Sequence, residues 1–175
     1  MTPARSFDVI STNTGGVEVV IVPIHHGTLL LQFKGKAIYV DPSGEADYGG
    51  LPRADFIFFT AGAKGSYESL KKDSTVVVSA PEKKTFGELE VEPAGGGYLF
   101  AMAGRRFYVS GAAKPVAVPG VDAAFVCMSQ ACAKDPAQAV ATVGARIVFP
   151  YRYDKRNLRA LKSDGHTEVR FRNWY

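Results

Sequence analysis

Phe56-Ile57-Phe58-Phe59-Thr60-Ala61-Gly62-Ala63-Lys64-Gly65-Ser66 starts as an aromatic-rich apolar run and ends in small residues with a single lysine. The run has the length and composition of a buried strand, and residues 66–72 follow with a short helical pattern capped by Ser66. A buried strand that ends in a tight loop opening a helix is a common place for chemistry in α/β proteins. This loop carries no histidine, carboxylate or cysteine.

Upstream, residues 17–22 and 28–33 are β-branched or apolar runs of strand length. The second meets residues 37–40 across Lys34-Gly35-Lys36, a hairpin signature, and Asp41-Pro42 stops that strand because proline has no N–H for the ladder. Downstream, residues 75–78, 89–92, 98–102, 106–109, 123–127, 146–149 and 168–172 read as further strands. Residues 136–143 read as a helix with Asp135 as its cap and Pro136 in its first turn, and residues 157–162 as another helix. Hairpins first and alternating strands and helices later predict two sheets with helices packed outside them, in one α/β domain over residues 1–175.

The chain has 175 residues, 46% hydrophobic and 22% charged, a globular balance. No apolar run approaches the roughly 20 residues of a spanning helix, and the first residues lack the apolar core of a signal peptide. The expected compartment is cytoplasmic, or extracytoplasmic if a leader has been removed. A net charge of +4 is spread along the chain in short pairs, which argues for a solvated surface and against nucleic acid or membrane partners. Cys127 and Cys132, five apart, form neither a disulfide framework nor a zinc motif, and are expected as free or incidentally paired thiols.

Several stretches together resemble one family: Pro23-Ile24-His25-His26-Gly27-Thr28, Gly35-Lys36-Ala37-Ile38-Tyr39-Val40-Asp41-Pro42, Leu51-Pro52-Arg53-Ala54-Asp55, Arg106-Phe107-Tyr108-Val109-Ser110-Gly111, Val148-Phe149-Pro150-Tyr151 and the closing Arg170-Phe171-Arg172-Asn173-Trp174-Tyr175. In this order they resemble the metallo-β-lactamase superfamily, in its branch of ascorbate-6-phosphate lactonase-like hydrolases. The resemblance implies an αββα sandwich with short helices and an active site along one edge of the two sheets.

The resemblance also locates what is missing. Members of the family follow the buried strand with H-x-H-x-D-H, whose side chains hold zinc, manganese or iron and activate a water. Those positions fall here on Ala61, Ala63, Gly65 and Ser66. Ala112 stands where the family has a bridging aspartate, and Arg152 where it has a late histidine. The loop before that aspartate shortens to residues 93–97. The expected cofactor is therefore none, where the family would bind zinc or manganese.

His25 and His26, as neighbours on a strand, are expected to point to opposite faces, and His166 is isolated in a turn. By resemblance, His26 takes a supporting place and Asp41 the place of a residue that buttresses the ligands. Lys64, Arg152, Asp41 and His26 are the candidate anion-binding or pocket residues, with Arg152 and Lys64 either pairing with Asp41, binding a small anion or facing solvent. The glycines around Lys64 lack the spacing of a phosphate-binding loop, and Cys127, Cys132 and Ser110 lack the pattern of an activated nucleophile. The chain thus reads as a pseudoenzyme with a binding or assembly role, its partner a small anion or a protein, with homo-oligomerisation open. The alternative is a metal-dependent hydrolase of a phosphorylated or lactone-like small molecule acting through a rebuilt site.

Overall fold

The structure, a computed structural model, describes residues 7–11 and 16–174. The first half forms a six-stranded sheet in the order β1 (Asp8–Ser11), β2 (Glu18–His25), β3 (Thr28–Phe33), β4 (Lys36–Val40), β5 (Phe56–Phe58) and β6 (Val76–Val78). The second half forms a seven-stranded sheet of β7 (Lys84–Phe86), β8 (Leu89–Ala94), β9 (Gly97–Met102), β10 (Arg105–Val109), β11 (Ala123–Cys127), β12 (Ile147–Tyr151) and β13 (Glu168–Val169), also in sequence order.

Both sheets share one plan. An antiparallel meander, β1 to β4 in one and β7 to β10 in the other, gives way to parallel strands, β5 and β6 or β11 to β13. The tight turns at residues 34–35 and 103–104 permit the antiparallel pairs, whereas parallel pairs need a crossover. Several strands are buried nearly throughout, as in Thr28–Phe33 and Ala123–Cys127, because both of their faces are covered. Between the sheets, Phe58, Tyr98 and Phe100 cluster with ring centroids 5.0–5.4 Å apart. Phe125, Phe149, Tyr151 and Trp174 form a second aromatic group across the core. Trp174 is fully buried, so it completes this core; Tyr175 lies outside the described residues.

The αββα sandwich expected from the sequence requires correction. Among the described residues one α-helix forms, α1 (Pro136–Val143), which packs on β11. Its local signals agree: Asp135 accepts the Gln138 N–H, Pro136 opens the first turn, and Gly144 closes the helix at φ 66°. The two other expected helices lack such agreement. Residues 66–72 make a single turn, with Tyr67 accepting from the N–H groups of Leu70 and Lys71. A seven-residue segment has too few hydrogen bonds to offset helix nucleation. At 157–162 the Asn157 side chain accepts the Arg159 N–H instead, a local bond that competes with the helix. The outer face of the first sheet is covered by irregular chain, with Tyr48, Leu51, Tyr67 and Leu70 packed over Leu30, Tyr39, Ile57 and Phe59.

Smaller differences follow. β1 and β7 are edge strands without a clear apolar alternation in sequence, and the expected strand at 168–172 is ordered as a ladder only over Glu168–Val169. Residues 93–97 form the turn of the β8–β9 hairpin, where Ala94 pairs with Gly97.

Candidate functional site

The strand ends that follow β4, β5, β10 and β12 converge at one end of the sandwich with the β2–β3 turn. They enclose a cavity of about 680 Å³, lined by His25, His26, Asp41, Lys64 and Arg152 and by Ala61, Ala63 and Ala112, three positions where the resemblance expects metal ligands. The structure therefore brings together most of the positions singled out in the sequence. His166 lies elsewhere, on a groove bordered by Arg146 and Glu168.

Asp41 organises the cavity from within. It follows β4 in a left-handed conformation, φ 49°, and is almost fully buried. Its Oδ1 accepts the Thr60 N–H at 2.8 Å, while Oδ2 accepts the Thr60 hydroxyl at 2.6 Å and an Arg152 Nη2–H at 2.8 Å. Burial raises the Asp41 carboxyl above the usual range, and the Thr60 bonds and the Arg152 charge pull it partly back. A buried carboxylate without such partners would be expensive to ionise.

Arg152 is the first residue after β12 and is also left-handed, at φ 52°. Its guanidinium sits 5.5 Å from the Tyr151 ring centroid. It presses so closely on Gly27 that a Cβ there would lie 2.2 Å from Cζ, which explains why the β2–β3 turn carries glycine at that point. Burial works against the Arg152 charge, but Tyr151 and Asp41 outweigh it and raise its pKa further. Its Nε is buried with no hydrogen-bond acceptor among the described residues. Tyr151, fully buried, accepts the Gly111 N–H at 2.9 Å, and burial pushes its hydroxyl up to about 12.

The histidines depart from the sequence reading. β2 ends at His25, and His26 turns at φ 49°, so both rings border the cavity rather than opposite faces of a strand. His25 Nε2 lies 3.7 Å from Glu45, and His26 Nε2 lies 3.5 Å from Asp154. Burial lowers the His26 pKa, with Arg152 reinforcing and Asp154 opposing that shift. The shift favours the neutral imidazole. Its main-chain N–H donates to the Trp174 carbonyl, which ties the turn to the end of the chain.

The residues present do not fit a divalent metal. Among the described residues no three histidine, cysteine or acidic side chains come together as a ligand set. Ala61, Ala63, Gly65 and Ala112 carry no ligand atom, and Arg152 places a fixed cation at the centre. The loop has also closed: a Cβ on Gly65 would sit 1.8 Å from the Pro42 carbonyl oxygen, so an aspartate cannot occupy that backbone. Ser66 packs beside Gly44 rather than facing a metal.

Other candidate groups have structural partners. Ser110 is fully buried; its hydroxyl accepts the Cys127 N–H at 2.8 Å and donates to the Gly111 carbonyl. Cys127 and Cys132 are joined as a disulfide across their five-residue separation. Lys64 is exposed and makes no ion pair or hydrogen bond within the described residues.

Sequence reasoning passed over Gly27 and the Gly65–Pro42 contact. A glycine following two histidines at a strand end was the available signal for the first. Nothing in sequence signals the second, because it joins two loops through their backbones.

No family model matches the chain, and no curated protein matches it. Solved structures do. A candidate metal-dependent hydrolase from Parabacteroides distasonis superposes with a TM-score of 0.83 at 23% identity, covering 97% of this chain and 99% of that one. A metallo hydrolase from Ignicoccus hospitalis gives 0.67 at 13% identity over 87% and 94% of the two chains. A candidate zinc-dependent hydrolase of the metallo-β-lactamase superfamily from Thermotoga maritima gives 0.60 at 18% identity over 79% and 77%. These likenesses concern the path of the chain, and they agree with the two-sheet frame described above. The chain has the metallo-β-lactamase fold, with degenerate metal motifs and irregular segments where helices were expected.

Proposed function

We propose that this chain is a non-hydrolytic protein on a hydrolase frame, a pseudoenzyme whose cleft binds rather than transforms its ligand. The observation that carries this reading is Arg152, whose guanidinium occupies a former ligand position and neutralises the buried Asp41 at 2.8 Å. In a metal-dependent relative the metal ion supplies positive charge and a reactive water. Arg152 offers the charge but, with no lone pair and no coordination sphere, activates no water. Closure of Gly65 onto Pro42 supports the same reading, because it removes the space for one ligand even if the side chain were restored.

Hydrolysis assays on phosphate esters and lactones, with zinc or manganese supplied, test this directly. The expected rate is that of the solution without protein. A metal-dependent rate that disappears in a variant with Arg152 and Asp41 both neutralised would overturn the reading. Among the described residues no helix is long and apolar enough to cross a membrane.

A further inference from the structure

We propose that the cleft receives the oxyanion group of a small organic molecule, a carboxylate or a phosphate, between Arg152 and Lys64. The inference rests on the metal-free reading above and adds the chemistry of the ligand. A cavity of about 680 Å³ falls in the size range of small-molecule sites.

The internal acid of this cavity is already satisfied. Both oxygens of Asp41 are engaged by Thr60 and Arg152, so Asp41 has little capacity left to attract a cationic ligand. Arg152 is not exhausted in return. A guanidinium carries five N–H donors; Asp41 and the Tyr151 hydroxyl engage two, and the side chain remains 17% exposed while lining the cavity. Lys64 borders the same space with no partner among the described residues. The main-chain N–H groups of Gly62, Lys64 and Ala112 belong to lining residues and have no acceptor there either. Two cations with adjacent unspent amides are the donor set that oxyanions take, and charge-assisted bonds to them are the strong ones.

The geometry is held at a cost. His26, Asp41 and Arg152 all line the cavity in left-handed conformations that L side chains rarely adopt. Such strain collects where surrounding structure fixes a functional arrangement. Glu45 is the carboxylate on the rim that opposes an anion, and it is 87% exposed beside His25.

The test is a calorimetric titration of the full chain, chelator-treated and assayed for metal, with inorganic phosphate and separately with short mono- and dicarboxylates, against chloride at equal ionic strength. Saturable binding to one site is expected from at least one class. Lys64→Ala should weaken it about tenfold, and Arg152→Gln with Asp41→Asn should abolish it without stranding a buried charge. Glu45→Gln should tighten it. Which class binds distinguishes a carboxylate from a phosphate ligand. No saturation by either, or an affinity unchanged by both the Lys64 and the Arg152–Asp41 substitutions, overturns the inference while leaving the metal-free reading intact. Stoichiometric metal in the assayed protein would instead overturn that reading itself.

Discussion

The two ends of the sandwich both carry charged groups and use them differently. At the far end, where the parallel strands begin, Asp122 meets Arg105 at 3.2 Å and Arg146 at 3.8 Å, and Arg170 meets Asp8 at 3.3 Å. Those arginines border an open groove, and Arg146 is 74% exposed. At the cleft end a single arginine, 17% exposed, pairs with a carboxylate only 4% exposed, and three non-glycine residues are held left-handed around it. Water screens the exposed Arg146 contact and leaves it worth little, whereas Asp122 and Asp8 are partly sheltered; the Arg152–Asp41 pair is the most buried of these, so its partners depend most on each other. The difference teaches that charge alone does not mark a site. Burial and backbone strain do.

The largest effect should come from Arg152→Ala, which strands Asp41. We expect a loss of about 3–5 kcal/mol in urea unfolding, most of it recovered when Asp41→Asn is added. The matched change at the far end, Arg146→Ala, should stay within about 0.5 kcal/mol. Comparable losses at the two ends would erase the contrast.

Next come the glycines that let the cleft close. Gly27→Ala drives a methyl into the guanidinium, and Gly65→Asp drives one into the Pro42 carbonyl. The Gly65 change should cost about 1–3 kcal/mol or more, since a backbone carbonyl cannot move aside, and the Gly27 change less, since the Arg152 guanidinium is the end of a side chain that can shift. Consequently, restoring the family's histidines and aspartates at Ala61, Ala63, Gly65, Ser66, Ala112 and Arg152 together should yield an unstable protein rather than a tight zinc site. Stable, stoichiometric zinc binding by that variant would show that the loop still opens.

The smallest effect is in pH dependence and has opposite sign at the two ends. Asp55, at the start of β5, accepts the Ala37 N–H and pairs with Lys72 at 2.7 Å. Burial alone would raise its carboxyl, but the bonds to Lys72 and Ala37 overcome that and hold it below the usual range. It therefore contributes stability that is present above the ordinary carboxylate range and lost as pH falls toward its own lower value. Asp41, shifted upward, contributes the reverse: its share is present at low pH and is lost as pH rises through its raised value. Asp55→Asn should accordingly flatten the fall of the urea midpoint below about pH 4. An unchanged acid limb would show that Asp55 is not a principal source of it.

The same contrast explains what could be read from the sequence. Strand positions were legible because apolar runs such as Thr28–Phe33 and Ala123–Cys127 are separated by recognisable turns. Helix α1 was legible because cap, proline and terminal glycine agree within ten residues. Residues 66–72 and 157–162 had composition without such agreement, and tertiary packing of irregular chain covered the sheet instead. At the cleft, the absence of a ligand atom at Ala61, Ala63 and Ala112, where the resemblance places metal ligands, could be seen residue by residue. The closeness of Arg152 to Gly27 and of Gly65 to Pro42 could not, because those pairs are far apart in the chain and depend on left-handed backbone at Asp41, His26 and Arg152.

The most direct test of the central claim, that Arg152 has taken the place of a metal, is native mass measurement after equilibration with zinc and manganese. The account expects the bare chain mass for the unmodified protein. One or two tightly held metal ions per chain, surviving buffer exchange, would contradict it.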